Sequence, residues 1–82
     1  MYKAVHPGEV LKAELKARGI TQRAFAKQIN MDFAQFNFYV IGRRGFSPRF
    51  ALILEDALGI PAEDWMRMRA DYDVATERTK RL

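Results

Sequence analysis

Residues that interrupt regular backbone recur along this chain roughly every three helical turns: Pro7-Gly8, Gly19, Asn30, Gly42 to Gly45, Ser47-Pro48, Gly59 and Pro61. Between them the apolar residues repeat at helical rather than alternating spacing, so the pattern predicts five helices and no strands. Residues 7–18 form the first, with Val10, Ala13 and Ala17 on one side beside Leu11 and Leu15, Glu9, Lys12 and Lys16 toward water, and Gly19 as a left-handed stop. Thr21 caps a short second helix that turns Phe25, Ala26 and Ile29 inward. Asp32 caps a third, with Gln35 completing a capping-box pattern and Phe36, Tyr39 and Val40 as its buried stripe. Ser47 then Pro48 opens a fourth helix. Its run Phe50-Ala51-Leu52-Ile53-Leu54 is apolar nearly all round and is expected to be central, and Gly59 ends it. The last helix is expected over about residues 61–76, with Trp65, Met68 and Tyr72 as core or dimer packing. The polar tail, residues 77–82, is expected to fray. With no repeat, linker or low-complexity tract, residues 1–82 read as one all-α domain.

The residue inventory narrows the function. A chain of 82 residues with no cysteine has no disulfide framework, thiol nucleophile or cysteine zinc site. His6 is the only histidine and Ser47 the only serine, and neither stands in a nucleophile motif. His6 reads as a local capping or turn residue. The acidic pairs Glu63-Asp64 and Asp71/Asp73 lack a cleft partner for acid–base work. No apolar run approaches the ~20 residues of a membrane helix, and the amino end lacks a signal peptide's hydrophobic stretch. The expectation is a cytoplasmic binding protein that is not an enzyme and takes no cofactor, metal, membrane or small-molecule substrate.

Charge is unevenly spread. Residues 21–50 carry Arg23, Lys27, Arg43, Arg44 and Arg49 against Asp32 alone, a net +4, whereas residues 1–20 are at +2 and residues 51–82 at −2. A basic middle beside an acidic carboxyl-terminal part is the footprint expected of nucleic-acid contact.

Residues 21–45 have the layout of a helix-turn-helix. Where two such helices cross, the first needs a small residue, which Ala26 supplies. Four residues on, the chain turns through a left-handed conformation that Asn30 tolerates better than most. Phe36 is then placed to bury itself against the first helix. Gln22 stands at that helix's amino end, where it and backbone N–H groups reach a phosphate. Arg43 and Arg44 lie in the loop after the second helix, where duplex backbone passes. Arg23 and Lys27, four apart, share a helical face, and Arg49 follows Pro48; these three are further phosphate-contact candidates.

Four stretches follow in order: His6-Pro7-Gly8-Glu9, Gly19-Ile20-Thr21-Gln22, Arg43-Arg44-Gly45-Phe46-Ser47-Pro48, and Ala57-Leu58-Gly59 with Trp65. Over residue 5 to about residue 74 the sequence therefore resembles HigA-type antitoxins, a branch of the xenobiotic-response-element helix-turn-helix family. The resemblance implies a five-helix, lambda-repressor-like DNA-binding domain. It also implies a homodimer on a palindromic double-stranded operator, autorepression on the nucleoid, and a small RelE/HigB-like partner toxin that cleaves messenger RNA.

The base-reading positions depart from that pattern. The first two residues of the recognition helix and those one turn later are Phe33, Ala34, Asn37 and Phe38, three of them apolar. Ile41 stands where the family tends to have asparagine and Ile53 where it tends to have a charge. Asp32 adds a negative charge near the groove. Three readings stay open. In one, the basic residues hold phosphate, Asn37 reads adenine, and Phe33, Ala34 and Phe38 pack on thymine methyl groups, with DNA shape adding specificity. In another, Phe33, Phe38, Ile41 and Ile53 form an apolar patch for a protein partner, and the chain is an interaction module; a DNA-binding regulator without a toxin differs from the first reading only in its partner. In the third, the aromatics fold back into a small core.

Overall fold

The computed structural model of the protein describes residues 4–81. Among them are five helices and no strand: α1 (Pro7–Ala17), α2 (Gln22–Gln28), α3 (Phe33–Val40), α4 (Pro48–Leu58) and α5 (Ala62–Lys80). They form two compact units, residues 8–45 and residues from Phe46 onward together with the segment up to Pro7.

In the first unit the core consists of Leu11 and Leu15 of α1, Phe25 and Ala26 of α2, and Phe36, Tyr39 and Val40 of α3. Fully burying a leucine or phenylalanine stabilises a fold by roughly 1.5–3 kcal/mol, so bulk decides which helical face turns inward. That corrects the expectation for α1: Val10 is half-buried, and Ala13 and Ala17 are exposed. Their small side chains contribute little area, and the i, i+4 leucine pair sets the face. Gly8, in the first turn of α1, sits against the end of α3. A Cβ there would stand 2.3 Å from the Val40 carbonyl oxygen and 2.7 Å from that of Tyr39, so only glycine permits this approach.

In the second unit Phe46, Phe50, Ala51, Leu54, Leu58 and Trp65 are buried. The Phe46 ring meets Phe50 edge-on at 5.0 Å and lies 5.8 Å from Trp65. Arg69 donates from Nη1 to the Phe46 carbonyl, fixing the chain before α4 to α5. The Ser47 hydroxyl accepts from Phe50 N at 3.1 Å, and Gly59 at φ 78° ends α4. Pro61 offers α5 no side-chain cap, and Glu55 of α4 fills that role by accepting from Ala62 N at 2.8 Å. Its carboxylate also faces the positive end of the helix dipole.

Two expectations are corrected in this unit. Leu52 is 52% exposed because Phe50, Ala51, Leu54 and Leu58 share the inward arc, and Leu52 lies across the helix from it. The His6 ring, at the residue before α1, packs edge-on against Tyr72 with centroids 4.9 Å apart, a contact the sequence did not indicate. The segment expected to fray is helical through Lys80, while Leu82 lies outside the described residues. Side-chain contacts along its own surface support it, with Thr79 Oγ1 donating to the Ala75 carbonyl at 3.1 Å and Lys80 reaching Glu77 at 3.9 Å. Arg78 and Lys80 also lie in the last turn, where cations meet the negative end of the dipole. Trp65 is fully buried as expected, and Met68 and Tyr72 are half-buried.

Candidate nucleic-acid interface

Two short helices hold the candidate surface, and neither is long enough to be stable alone. Each is fixed at both ends. Thr21 Oγ1 accepts from Ala24 N at 3.1 Å to start α2, and Asp32 Oδ2 accepts from Ala34 N at 3.1 Å to start α3. The carboxylate expected to repel a duplex is thereby engaged at a helix amino terminus. Between them the chain turns at Asn30, φ 56°, the one non-glycine residue with positive φ among the described residues.

Two hydrogen bonds lock this turn. Met31 N donates to the Ala26 carbonyl at 2.9 Å and Asn30 N to that of Lys27 at 3.1 Å. This nested pair is a Schellman motif, with Asn30 at the left-handed position. The same arrangement closes α1 at Gly19, through Ile20 N to Leu15 O at 2.9 Å, and α3 at Gly42, through Arg43 N to Phe38 O at 2.9 Å. Glycine serves at those two ends. Asparagine does so at the turn that joins α2 to α3. Across it the Phe25 and Phe36 rings pack at 5.6 Å, as the spacing predicts.

The outward side of α3 is accessible. Ala34 is exposed, Phe33 and Asn37 are half-buried, and Phe38 is 40% exposed. None of the four belongs to the core, so the reading in which Phe33 and Phe38 complete it is set aside. Ile41 is 56% exposed, and Ile53, on the other unit, is half-buried.

Two arginines of this unit lie over aromatic rings of α3. The Arg23 guanidinium carbon lies 4.3 Å from the centroid of the Phe33 ring, and that of Arg44 lies 5.7 Å from the Tyr39 ring. A cation–π contact of this kind holds the guanidinium without neutralising its charge, and at 4.3 Å the Arg23 group is close enough to stack flat and keep its in-plane N–H donors for an anion. Arg43 and Lys27 are exposed, and Gln22, the first residue of α2, is half-buried. Arg49 is exposed on α4, in the other unit. Among the described residues the ion pairs join Arg18 to Glu14, Arg67 to Asp64, Arg69 to Asp73 and Lys80 to Glu77. None involves Arg23, Lys27, Arg43, Arg44 or Arg49, so these cations keep their charge available to an anion. The two arginine–aromatic stacks were not foreseen from the sequence. The available signal was composition alone, an aromatic-rich helix with arginines at its flanks.

Residues 11–65 match the helix-turn-helix family. The chain belongs to that family. Among relatives, virulence-associated protein I of Dichelobacter nodosus is 36% identical over 72 residues, spanning 87% of this chain and 67% of that protein. An addiction module antidote protein of the HigA family from Coxiella burnetii superposes with a TM-score of 0.87 at 25% identity, over 96% of this chain and 87% of that one. The Pseudomonas aeruginosa antitoxin HigA, solved with the higBA promoter, superposes at 0.86 with 29% identity, over 95% and 86%. The five-helix fold and the resemblance to HigA-type antitoxins read from the sequence are both borne out.

In this helix-turn-helix protein the Asn30 turn sets where α3 points. Asn30→Gly is expected to leave the thermal midpoint unchanged or slightly higher, since glycine takes positive φ without strain. Asn30→Val forces a β-branched residue into the left-handed region and should cost about 1–2 kcal/mol. For a domain of this size each kcal/mol lowers the midpoint by roughly 4–8 °C, which circular dichroism melts resolve. Equal midpoints for the two variants would show that the turn is not held in this conformation.

Proposed function

We propose that the protein is the antitoxin of a toxin–antitoxin pair: a homodimer that binds its own operator, represses its own transcription and neutralises a RelE/HigB-like messenger-RNA-cleaving toxin. The observation that carries this reading is the outward face of α3 bordered by cations without carboxylate partners. On it, Phe33, Ala34, Asn37 and Phe38 face base edges. Gln22, Arg23, Lys27, Arg43 and Arg44 hold phosphates, with Arg49 a further phosphate contact. In this reading residues 1–82 work as a single non-enzymatic domain on the nucleoid, in the cytoplasm. The promoter-bound antitoxin among the structural neighbours supports the DNA half of the reading, and the antidote and antitoxin descriptions support the toxin half.

Dimerisation is supported by α5. A shallow groove on its outer side is lined by Ala70, Asp71, Val74, Ala75, Arg78 and Thr79, and Val74 is 50% exposed. The set is symmetric about the point between Val74 and Ala75. An antiparallel second copy therefore sets Asp71 against Arg78, Ala70 against Thr79 and Val74 against Ala75. A two-fold contact has to be self-complementary in this way.

A second reading, a protein-interaction module, draws on the exposure of Phe38 in α3 and Ile41 at its carboxyl-terminal cap. Titration of duplex DNA from upstream of the protein's own reading frame separates the two. Tight, sequence-dependent binding that weakens with salt supports the operator reading, and micromolar, sequence-indifferent binding supports the module.

Arg43→Ala/Arg44→Ala should weaken binding to all sequences alike and flatten the log–log salt slope by roughly 0.9 per phosphate contact removed. Asn37→Ala should instead relax preference at a single base position; the reverse pattern would exchange these roles. Asp71→Arg should shift the dimer toward monomer in sedimentation, by setting arginine against arginine. Asp71→Arg/Arg78→Asp should restore it, and a dimer indifferent to both changes would place the contact elsewhere.

A further inference from the structure

We infer that Arg23 and Phe33 act as one unit that reads the C5-methyl group of a pyrimidine, the guanidinium gripping phosphate while the ring meets the methyl. The inference rests on the operator reading above and names the chemistry its recognition surface selects.

Of the four residues presented by α3, only Asn37 carries a hydrogen-bonding side chain. Phe33, Ala34 and Phe38 have no donor or acceptor with which to read a base edge. The apolar feature that a base pair offers in the major groove is the methyl on C5 of thymine, and 5-methylcytosine places the same group at the same position. At the positions they front, these apolar side chains therefore select methyl groups, and hydrogen-bond readout of base edges is left to Asn37.

The stack makes this selection directional. Phe33 is half-buried, and Arg23 covers its ring at 4.3 Å. Arg23 is the second residue of α2 and Phe33 the first of α3, so the contact bridges the amino ends of the two helices. Guanidinium stacking spends the flat face of the cation and leaves its in-plane donors for bidentate phosphate contact. A phosphate held there fixes Arg23, and Arg23 in turn fixes the ring. Affinity and methyl selectivity are thereby coupled through one side-chain pair. Lysine keeps the charge but lacks the planar stack, so Arg23→Lys separates the two functions. Arg23 is exposed and lies in none of the ion pairs among the described residues, so these variants leave the core intact.

The test is fluorescence anisotropy of the full chain on the duplex from upstream of its own reading frame. Each thymidine is replaced singly by deoxyuridine, and, in a parallel set, by cytidine or 5-methylcytidine paired with guanosine. Deoxyuridine is expected to weaken binding about fourfold at each contacted position, the loss of one buried methyl. At those positions 5-methylcytidine is expected to bind about fourfold more tightly than cytidine. Arg23→Lys should shrink the thymidine-to-deoxyuridine ratio toward one while keeping the salt slope. Arg43→Ala should weaken both duplexes and leave the ratio unchanged. Equal binding of thymidine and deoxyuridine duplexes overturns methyl reading while leaving operator binding intact. A ratio indifferent to Arg23→Lys reduces Arg23 to a phosphate contact and overturns the coupling. Failure to bind the thymidine duplex at all overturns the operator reading and this inference together.

Discussion

The left-handed turn at Asn30, closed by two nested hydrogen bonds and packed under Phe25 and Phe36, is the constraint on which the rest of the candidate surface depends. Neither α2 nor α3 is long enough to persist alone, so their mutual packing supplies the stability that their length does not. Because the turn fixes the crossing, it also fixes which residues of α3 are left outside. Phe36, Tyr39 and Val40 are spent on the core, and Phe33, Ala34, Gln35, Asn37 and Phe38 are left outside it. At the far end of α3, the carbonyls of Tyr39 and Val40 lie against Gly8 of α1, an approach that any larger residue would block.

Electrostatics and aromatic packing work together on this surface. Arg18, Arg67 and Arg69 are paired with neighbouring carboxylates, Glu14, Asp64 and Asp73. Arg23 and Arg44 are instead seated on aromatic rings. A carboxylate partner would neutralise the charge and compete with phosphate for the donors. A ring orients the guanidinium and leaves both charge and donors available. The aromatic content of α3, which looks poorly suited to a DNA-reading helix, thus has a second use in positioning the cations around it.

Much of the fold was legible because caps and stops act locally. Thr21, Asp32 and Ser47 start helices where their short oxygen-bearing side chains predict, and Gly19, Asn30 and Gly59 take the left-handed conformations expected of them. The α2–α3 core was legible for a similar reason, since Phe25, Ala26 and Phe36 are placed by helical period and one short turn. What was missed depends on contacts between residues distant in sequence. The His6 ring on Tyr72, Glu55 capping α5 and the outward turn of Leu52 are set by neighbours that periodicity does not name. The carboxyl-terminal helix was read too short because its last turns bury no large side chain and are held by contacts along their own surface. At the candidate site the residue types were legible and their pairings were not: Arg23 and Phe33 are ten positions apart, across the turn.

The proposed function makes α3, held out by the Asn30 turn, the element that enters a duplex. Backbone amide chemical shifts of the isotopically labelled protein, followed during titration with duplex from upstream of its own reading frame, test this most directly. The largest changes are expected at residues 22–24, 33–38 and 43–45, with small ones along α5. Binding that moves amides elsewhere while residues 33–38 stay in place would contradict it.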